Sequence, residues 1–309
     1  MSPSDTPPRD TSLSDPPPRD TLRYDTVSFL SDYGRTDEFV GVVHSVIRDI
    51  APGVAVIDIT HDIPPFDVRA GGLALARSAH YLCPGVVVAV VDPGVGTPRR
   101  GIAVEVGDGA SVLIGPDNGV LAPAVAFVGG ATRAVVLDNP ACQLAAPGPT
   151  FAGRDVFAPA AAHLCRGVPL EGLGTEVDPS SLLPGTLPLS RLEGGVMVTE
   201  VLWVDRYGNA QLNLDPDDLD GLGDQFEVRA RGRTSSAARA DSFAGVAPGG
   251  VGLIVDSYGL IALAADRASA AEALGSDAGD EVALAPVTAT APAGPEVQVE
   301  LTRAPRGSV

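Results

Sequence analysis

The chain has 309 residues, enough for two domains at roughly 100–200 residues each. Its 39 acidic and 21 basic residues give a formal net charge of −18, which argues against duplex DNA or an anionic membrane as partner, because both are bound through Lys and Arg. No residue is a lysine, so a lysine Schiff base, a P-loop lysine and a Ser-x-x-Lys nucleophile are excluded.

The first 25 residues hold a near-duplicate, Ser4 to Thr11 against Ser14 to Thr21, so poor in apolar groups that disorder is expected over 1–25. From Thr26 short apolar runs end abruptly in Asp or Gly, with helical segments between them. Strands are predicted at 27–30, 54–59 and 86–91, the last a continuous β-branched run typical of a strand buried on both faces. Helices are predicted at about 38–50 and 67–82, and a hairpin over 101–106 and 111–114 around Gly107-Asp108-Gly109. Alternating strands and helices imply an α/β domain with a largely parallel sheet over 26–181. Residues 182–195, opening on Leu182-Leu183-Pro184-Gly185, read as a linker. From 196 to 309 the helical period largely disappears. Short strands at 196–204, 211–214, 226–231, 252–255, 260–264, 281–285 and 297–302, with one helix over 268–274, describe a small all-β domain, a barrel or a sandwich.

Cys83, Cys142 and Cys165 are too few and too scattered for a disulfide framework or a CxxC metal site. No apolar run reaches the roughly 18–20 residues that span a bilayer, and the acidic, proline-rich start is no signal peptide. A cytoplasmic enzyme or binding protein is expected.

Ligands of open α/β sheets bind beyond the carboxyl ends of the strands. Asp32, Asp92 and Asp117 follow such ends, with Asp58 and Asp62 near a fourth. A single Asp there would cap a helix or fix a turn; several in succession point to a shared polar site. Gly94-Val95-Gly96 opens like a dinucleotide loop, but Arg99 breaks the fingerprint. No GxSxG elbow is present, and the four histidines lack metal-ligand spacing. His61-Asp62 is the one suggestive pair, and a role in the turn outweighs a metal role. What remains is carboxylates with Arg99, Arg100 and Arg154, a set suited to a polar, cationic molecule.

Ser31-Asp32-Tyr33-Gly34 with Thr36-Asp37, Asp92-Pro93-Gly94-Val95-Gly96-Thr97-Pro98-Arg99, Pro116-Asp117-Asn118-Gly119, Phe151 to Asp155, Asp205-Arg206-Tyr207-Gly208-Asn209 and Ser257-Tyr258-Gly259 resemble, in order, the S-adenosylmethionine (SAM) hydroxide adenosyltransferases, relatives of the fluorinase and chlorinase. The resemblance covers about 26–303. It implies an N-terminal α/β domain and a smaller C-terminal β-barrel domain. It also implies a homotrimer whose substrate lies between the N-terminal domain of one subunit and the C-terminal domain of the next. The implied reaction is hydrolysis of SAM to adenosine and methionine, with no cofactor, no metal, no nucleic acid and no membrane. By resemblance, Asp32 and Asp37 bind the ribose hydroxyls. Phe66 lies against the substrate and Phe243 stacks on adenine, although either ring could be ordinary core. Asp205, Tyr207 and Asn209 hold the amino-acid end and adenine, Ser257 and Tyr258 form a second loop, and Arg267 offers backbone contacts.

Members that form adenosine use an Asp-Arg-His set, which Asp92 and Arg99 match. The third position is Ala152, so lowered turnover is expected. A natural variant or a deliberate His→Ala substitution would account for it, and the intact flanks Thr150-Phe151 and Gly153-Arg154-Asp155 favour the latter. Two rival readings stand. A halogenase would carry Tyr at the position of Asp92, a longer loop at Gly107 to Ala110 and, in the fluorinase, Ser at Gly153. A non-catalytic SAM or adenosine sensor is compatible with Ala152.

Overall fold

The computed structural model describes residues 22–287. The duplicated segment at 4–21 and the strand expected at 297–302 lie outside the described residues. The chain divides into two units, Met1–Leu187 and Pro188–Val309.

The first unit carries a seven-stranded sheet. Its elements run β1 (Thr26–Ser31), α1 (Phe39–Ile50), β2 (Ala55–Thr60), α2 (Val68–Ala79), β3 (Val86–Val90), β4 (Gly101–Val106), β5 (Ser111–Pro116), α3 (Ala122–Phe127), β6 (Ala131–Val136), α4 (Ala158–Cys165) and β7 (Glu176–Val177). The strand order is β2-β1-β3-β5-β4-β6-β7, parallel from β2 to β5 and antiparallel beyond. Side chains alternate across the pleat. Phe29 and Val88 face a core shared with Val43, Ile47 and Leu164, whereas Leu30 and Val87 face one shared with Leu75 and Leu121. Both faces are thus covered, α1 packing with α4 on one and α2 with α3 on the other. Gly71 permits that closeness, since a Cβ there would lie 2.7 Å from Val91 Cγ2.

Residues 22–25 are not a loose tail. Tyr24 is buried and donates to Gly109 O at 2.9 Å, and Arg23 N donates to Cys165 O at 3.1 Å.

The second unit comprises β8 (Arg191–Glu193), β9 (Val196–Val204), β10 (Ala210–Leu212), β11 (Gln225–Ala230), β12 (Arg233–Arg239), β13 (Val251–Val255), β14 (Ile261–Ala264), α5 (Ala270–Leu274) and β15 (Glu281–Pro286). The order β10-β14-β13-β12-β11-β15-β9 closes through β9–β10 pairing into a seven-stranded barrel. Phe226, Val228, Leu253, Leu263 and Leu284 fill it. The strand β8 extends the sheet as a hairpin on β9 within the stretch read as linker. The strand β12 follows no apolar alternation; the two-residue turn at Arg231 (φ 46) and Gly232 (φ 77) folds it back on β11. No helix among the described residues is long and apolar enough to cross a membrane.

Candidate active site

Parallel strands β2, β1, β3 and β5 end along one edge, placing His61, Asp32, Asp92 and Asp117 in a row. Asp92 and Arg99 face each other across the loop after β3. Arg99 Nε donates to Asp92 Oδ1 at 3.1 Å, Nη2 donates to Oδ2, and Nη1 donates to Arg100 O at 2.9 Å. The guanidinium lies 5.5 Å from the Phe157 ring centroid. The pair is shielded, with side-chain exposure of 13% for Arg99 and 6% for Asp92. Burial pushes the Asp92 carboxyl above its ordinary pKa, outweighing the Arg99 cation and the hydrogen bonds from Arg99 and Gly94.

Asp32 Oδ2 accepts the Phe66 amide at 2.9 Å. Phe66 has φ 68, rare and costly for a bulky residue, and its ring is 71% exposed. It is therefore not core. The chain holds it outward while its own amide ties down Asp32, and Asp67 caps α2 by accepting from Ala70 N at 2.8 Å. Asp37 is exposed on the loop that leads into α1.

Ala152 is buried and leads into a π-helical turn, Gly153–Phe157, ahead of α4. Such turns often mark functional positions. Arg154 pairs with Asp155 at 2.6 Å and covers the Phe151 ring at 5.0 Å. The Tyr33 ring packs near Phe29, Phe39 and Phe151 at 6.2, 5.6 and 5.7 Å.

Two strand-end carboxylates are already engaged. Asp117 accepts Arg100 Nε at 2.8 Å and Nη2, and Leu183 N at 2.8 Å. Its buried carboxylate thus anchors Arg100 and the 181–183 segment rather than a ligand. Asp58 Oδ1 lies 2.8 Å from His44 Nε2 and 3.1 Å from His61 Nε2, while Oδ2 lies 3.5 Å from Arg35. Burial raises the Asp58 pKa, but the two imidazoles outweigh it and hold the carboxyl low. His61 is wholly buried, and its Nδ1 lies 2.7 Å from Ser31 Oγ. Its carbonyl accepts Gly34 N at 2.8 Å. Burial lowers the His61 pKa despite Asp58. His44, Asp58 and His61 have ligand atoms within 4.8 Å of one another, the spacing a metal would need. His44 Nε2 already has the carboxylate as hydrogen-bond partner, His61 Nε2 is buried 3.1 Å from it, and His61 fixes the turn that carries Asp32.

In the second unit a cavity of about 960 Å³ gathers Asp205, Tyr207, Asn209, Phe243 and Arg267. Asp205 organises its loop: Oδ1 accepts Tyr207 N at 2.8 Å and Asn209 N at 2.9 Å, and Oδ2 accepts Asn209 Nδ2 at 2.7 Å. Tyr207 is thereby left 73% exposed. Phe243 is 48% exposed and so is no core ring. Arg267 has φ 52 and an exposed side chain. Ser257 and Tyr258 stand apart from this cavity on the β13–β14 turn, where Asp256 Oδ1 accepts Tyr258 N at 2.8 Å. Ser269 gives no signal in the sequence beyond the helix it caps, yet it packs under Gly208, and Ala271 N donates to Gly208 O at 3.0 Å.

Residues 27–174 match the model of the SAM hydroxide adenosyltransferase N-terminal domain, and 199–283 that of its C-terminal domain. The (R)-S-adenosyl-L-methionine hydrolase of Salinispora tropica is 44% identical over 83% of this chain and 96% of its own. That of Thermus thermophilus is 43% identical over 84% and 98%. The crystal structure of an uncharacterized conserved protein from Thermotoga maritima superposes with TM-score 0.78 at 33% identity, covering 84% of this chain and 99% of that one. Two matched domains in order, with the Asp92–Arg99 pair at the strand ends of the first, make this chain a member of the SAM hydroxide adenosyltransferase family.

Proposed function

We propose that this protein hydrolyses SAM to adenosine and methionine. The observation that carries the reading is the shielded Asp92–Arg99 pair at the end of β3, in a chain 43–44% identical to proteins named (R)-S-adenosyl-L-methionine hydrolases. Water attacks the ribose C5′ in line with the C5′–S bond. The sulfonium leaves as a neutral thioether, so departure needs neither a general acid nor a metal, and the chemistry calls for no cofactor. The protein's task is to hold and desolvate the nucleophile. Burial makes the Asp92 carboxylate a stronger base than it would be in water, fit to take the proton that the attacking water loses. Arg99 fixes that carboxylate bidentately. Asp32 keeps its Oδ1 for ribose hydroxyls, with Asp37 on the adjoining loop. Phe66 offers its exposed ring. In the second unit the Asp205 loop, Phe243 and the Arg267 backbone supply the adenine and amino-acid contacts.

The same reading includes a homotrimer, which sedimentation equilibrium tests. It also includes a reducing, cytoplasmic setting, in keeping with three free cysteines. The catalytic test is incubation with SAM followed by chromatography. Adenosine with methionine is the expected result. Intact SAM that stays bound would make the protein a binding module, and 5′-halo-adenosine in high halide would make it a halogenase; either overturns the reading.

A further inference from the structure

Ala152 deprives this chain of the imidazole that the family resemblance expects beside Asp92 and Arg99. A polar group, the Tyr33 hydroxyl, lies beside that position, against Gly153. Tyr33 lies against both chain neighbours of Ala152. Its ring meets Phe151 edge to face, at 5.7 Å and 78°. Its hydroxyl packs so closely on Gly153 that a Cβ there would lie 2.3 Å from Oη.

The hydroxyl is held rigidly. Phe29 and Phe39 flank the ring at 6.2 and 5.6 Å. Tyr33 N donates to Ser31 Oγ at 3.3 Å, and the next amide, Gly34 N, donates to the buried His61's carbonyl at 2.8 Å. Tyr33 also follows Asp32 directly in the chain. Burial, and then the carboxylates of Asp32 and Asp92, push the phenol far above its usual pKa. It therefore stays protonated and acts as a donor, never as a base.

We propose that the Tyr33 hydroxyl is a further catalytic residue, one that holds the attacking water in the place where the family's imidazole would stand. The proposal rests on the SAM hydrolase reading. In the step, the Tyr33 O–H donates to one lone pair of the water oxygen and leaves the other aimed at C5′. The O–C5′ bond forms as the C5′–S bond breaks, and the breaking pair stays on sulfur as methionine leaves. The surplus proton on the new 5′-oxygen goes to the Asp92 carboxylate and on to solvent. Tyr33 neither gains nor loses a proton. The same geometry explains Gly153, because any side chain there would displace the hydroxyl.

Tyr33→Phe tests this, since it keeps the ring and its aromatic contacts. Three quantities are read: kcat and KM for adenosine formation, calorimetric affinity for adenosine, and the melting temperature. The expected result is a kcat lowered at least about tenfold, the weight of a well-placed hydrogen bond, with affinity for adenosine within about twofold. Adding Ala152→His to Tyr33→Phe should restore the rate of the unaltered chain or exceed it, a rescue that a purely structural tyrosine would not give. Two outcomes overturn the proposal while the hydrolase reading stands: an undiminished rate in Tyr33→Phe, or a slow Tyr33→Phe chain that Ala152→His does not revive. Absence of adenosine from the unaltered chain overturns the hydrolase reading, and this proposal with it.

Discussion

Arg99→Met retains much of the side chain's bulk and removes its charge. Asp92 is then left without its cation in a place where its side chain is 6% exposed. With so little solvent screening, taking one partner from the pair should cost about 3–5 kcal/mol. The unit spanning 1–187 should melt roughly 6–20 °C lower, at roughly 2–4 °C per kcal/mol for a unit of that size. The loss carries a pH signature. Burial already raises the Asp92 pKa in spite of Arg99, and removing the guanidinium raises it further. A group whose folded-state pKa lies above its unfolded value favours the fold fully below the unfolded value, and that contribution is lost as pH rises through the folded pKa. The deficit of Arg99→Met is therefore widest at neutral pH and narrows as pH falls toward the carboxylate range, about 4. Groups common to both chains, such as His61, cancel in the difference. Calorimetric melting of both chains from about pH 8 to 4.5 reads the deficit directly. A deficit independent of pH, or one that grows on acidification, would refute the claim that desolvation of Asp92 dominates this pair.

Ala152→His alone should raise adenosine formation at least about tenfold, general acid–base help being worth roughly 10²–10⁴-fold; an unchanged rate removes position 152 from the site. Gly208→Ala should destabilise the second unit by more than about 1 kcal/mol and weaken SAM binding, since Gly208 has φ 82 and a Cβ there would lie 2.1 Å from Ser269 Oγ and 2.7 Å from Ser269 Cα. Thermal melting and calorimetric titration check it, and an unshifted melting temperature sinks it. His61 is buried with a lowered pKa, so its contribution to the fold is present above the unfolded value of 6.5 and is lost as pH falls through the folded one. Stability of the first unit should fall on acidification below about pH 6.5, and less steeply in His61→Gln; equal slopes in the two chains would contradict this.

The strands and helices that position the site were legible because their signals are local. Val86–Val90 is nearly all β-branched and buried on both faces, and α1 carries its apolar residues at helical spacing. The barrel's closure was less so. The strand β12, Arg233–Arg239, has little apolar content, and its pairing with β11 and β13 is decided by a turn and by its neighbours. The Asp205 loop was legible as a motif. Its support was not, because the contact of Gly208 with Ser269 joins residues 61 positions apart through space alone. Ser257 and Tyr258 match a motif too, yet they sit apart from the cavity that gathers the Asp205 loop. Tyr33 sits inside a recognised motif, but the weight of its hydroxyl comes from Gly153, whose backbone it touches only after folding.

Strand-end aspartates over-count the site when read along the chain, and the reason is how each carboxylate's lone pairs are spent. A carboxylate has about four acceptor positions. Asp117 gives three to Arg100 and Leu183 N and is almost wholly buried. Asp58 is ringed by His44, His61 and Arg35, and its negative charge is consumed in fixing the turn beneath Asp32. Asp32 spends one position, on the Phe66 amide, and remains half-buried with no partner for Oδ1 among the described residues. Asp92 meets one cation along one edge and stays desolvated, which leaves it basic on the other. Four similar residues along one edge of the sheet are thus sorted by partner and burial into two whose carboxylates are tied into the edge, Asp58 and Asp117, and two, Asp32 and Asp92, that hold fewer partners. Arg100 and Arg99, adjacent in sequence, make the division: one neutralises the buried Asp117, and the other holds the shielded Asp92 bidentately.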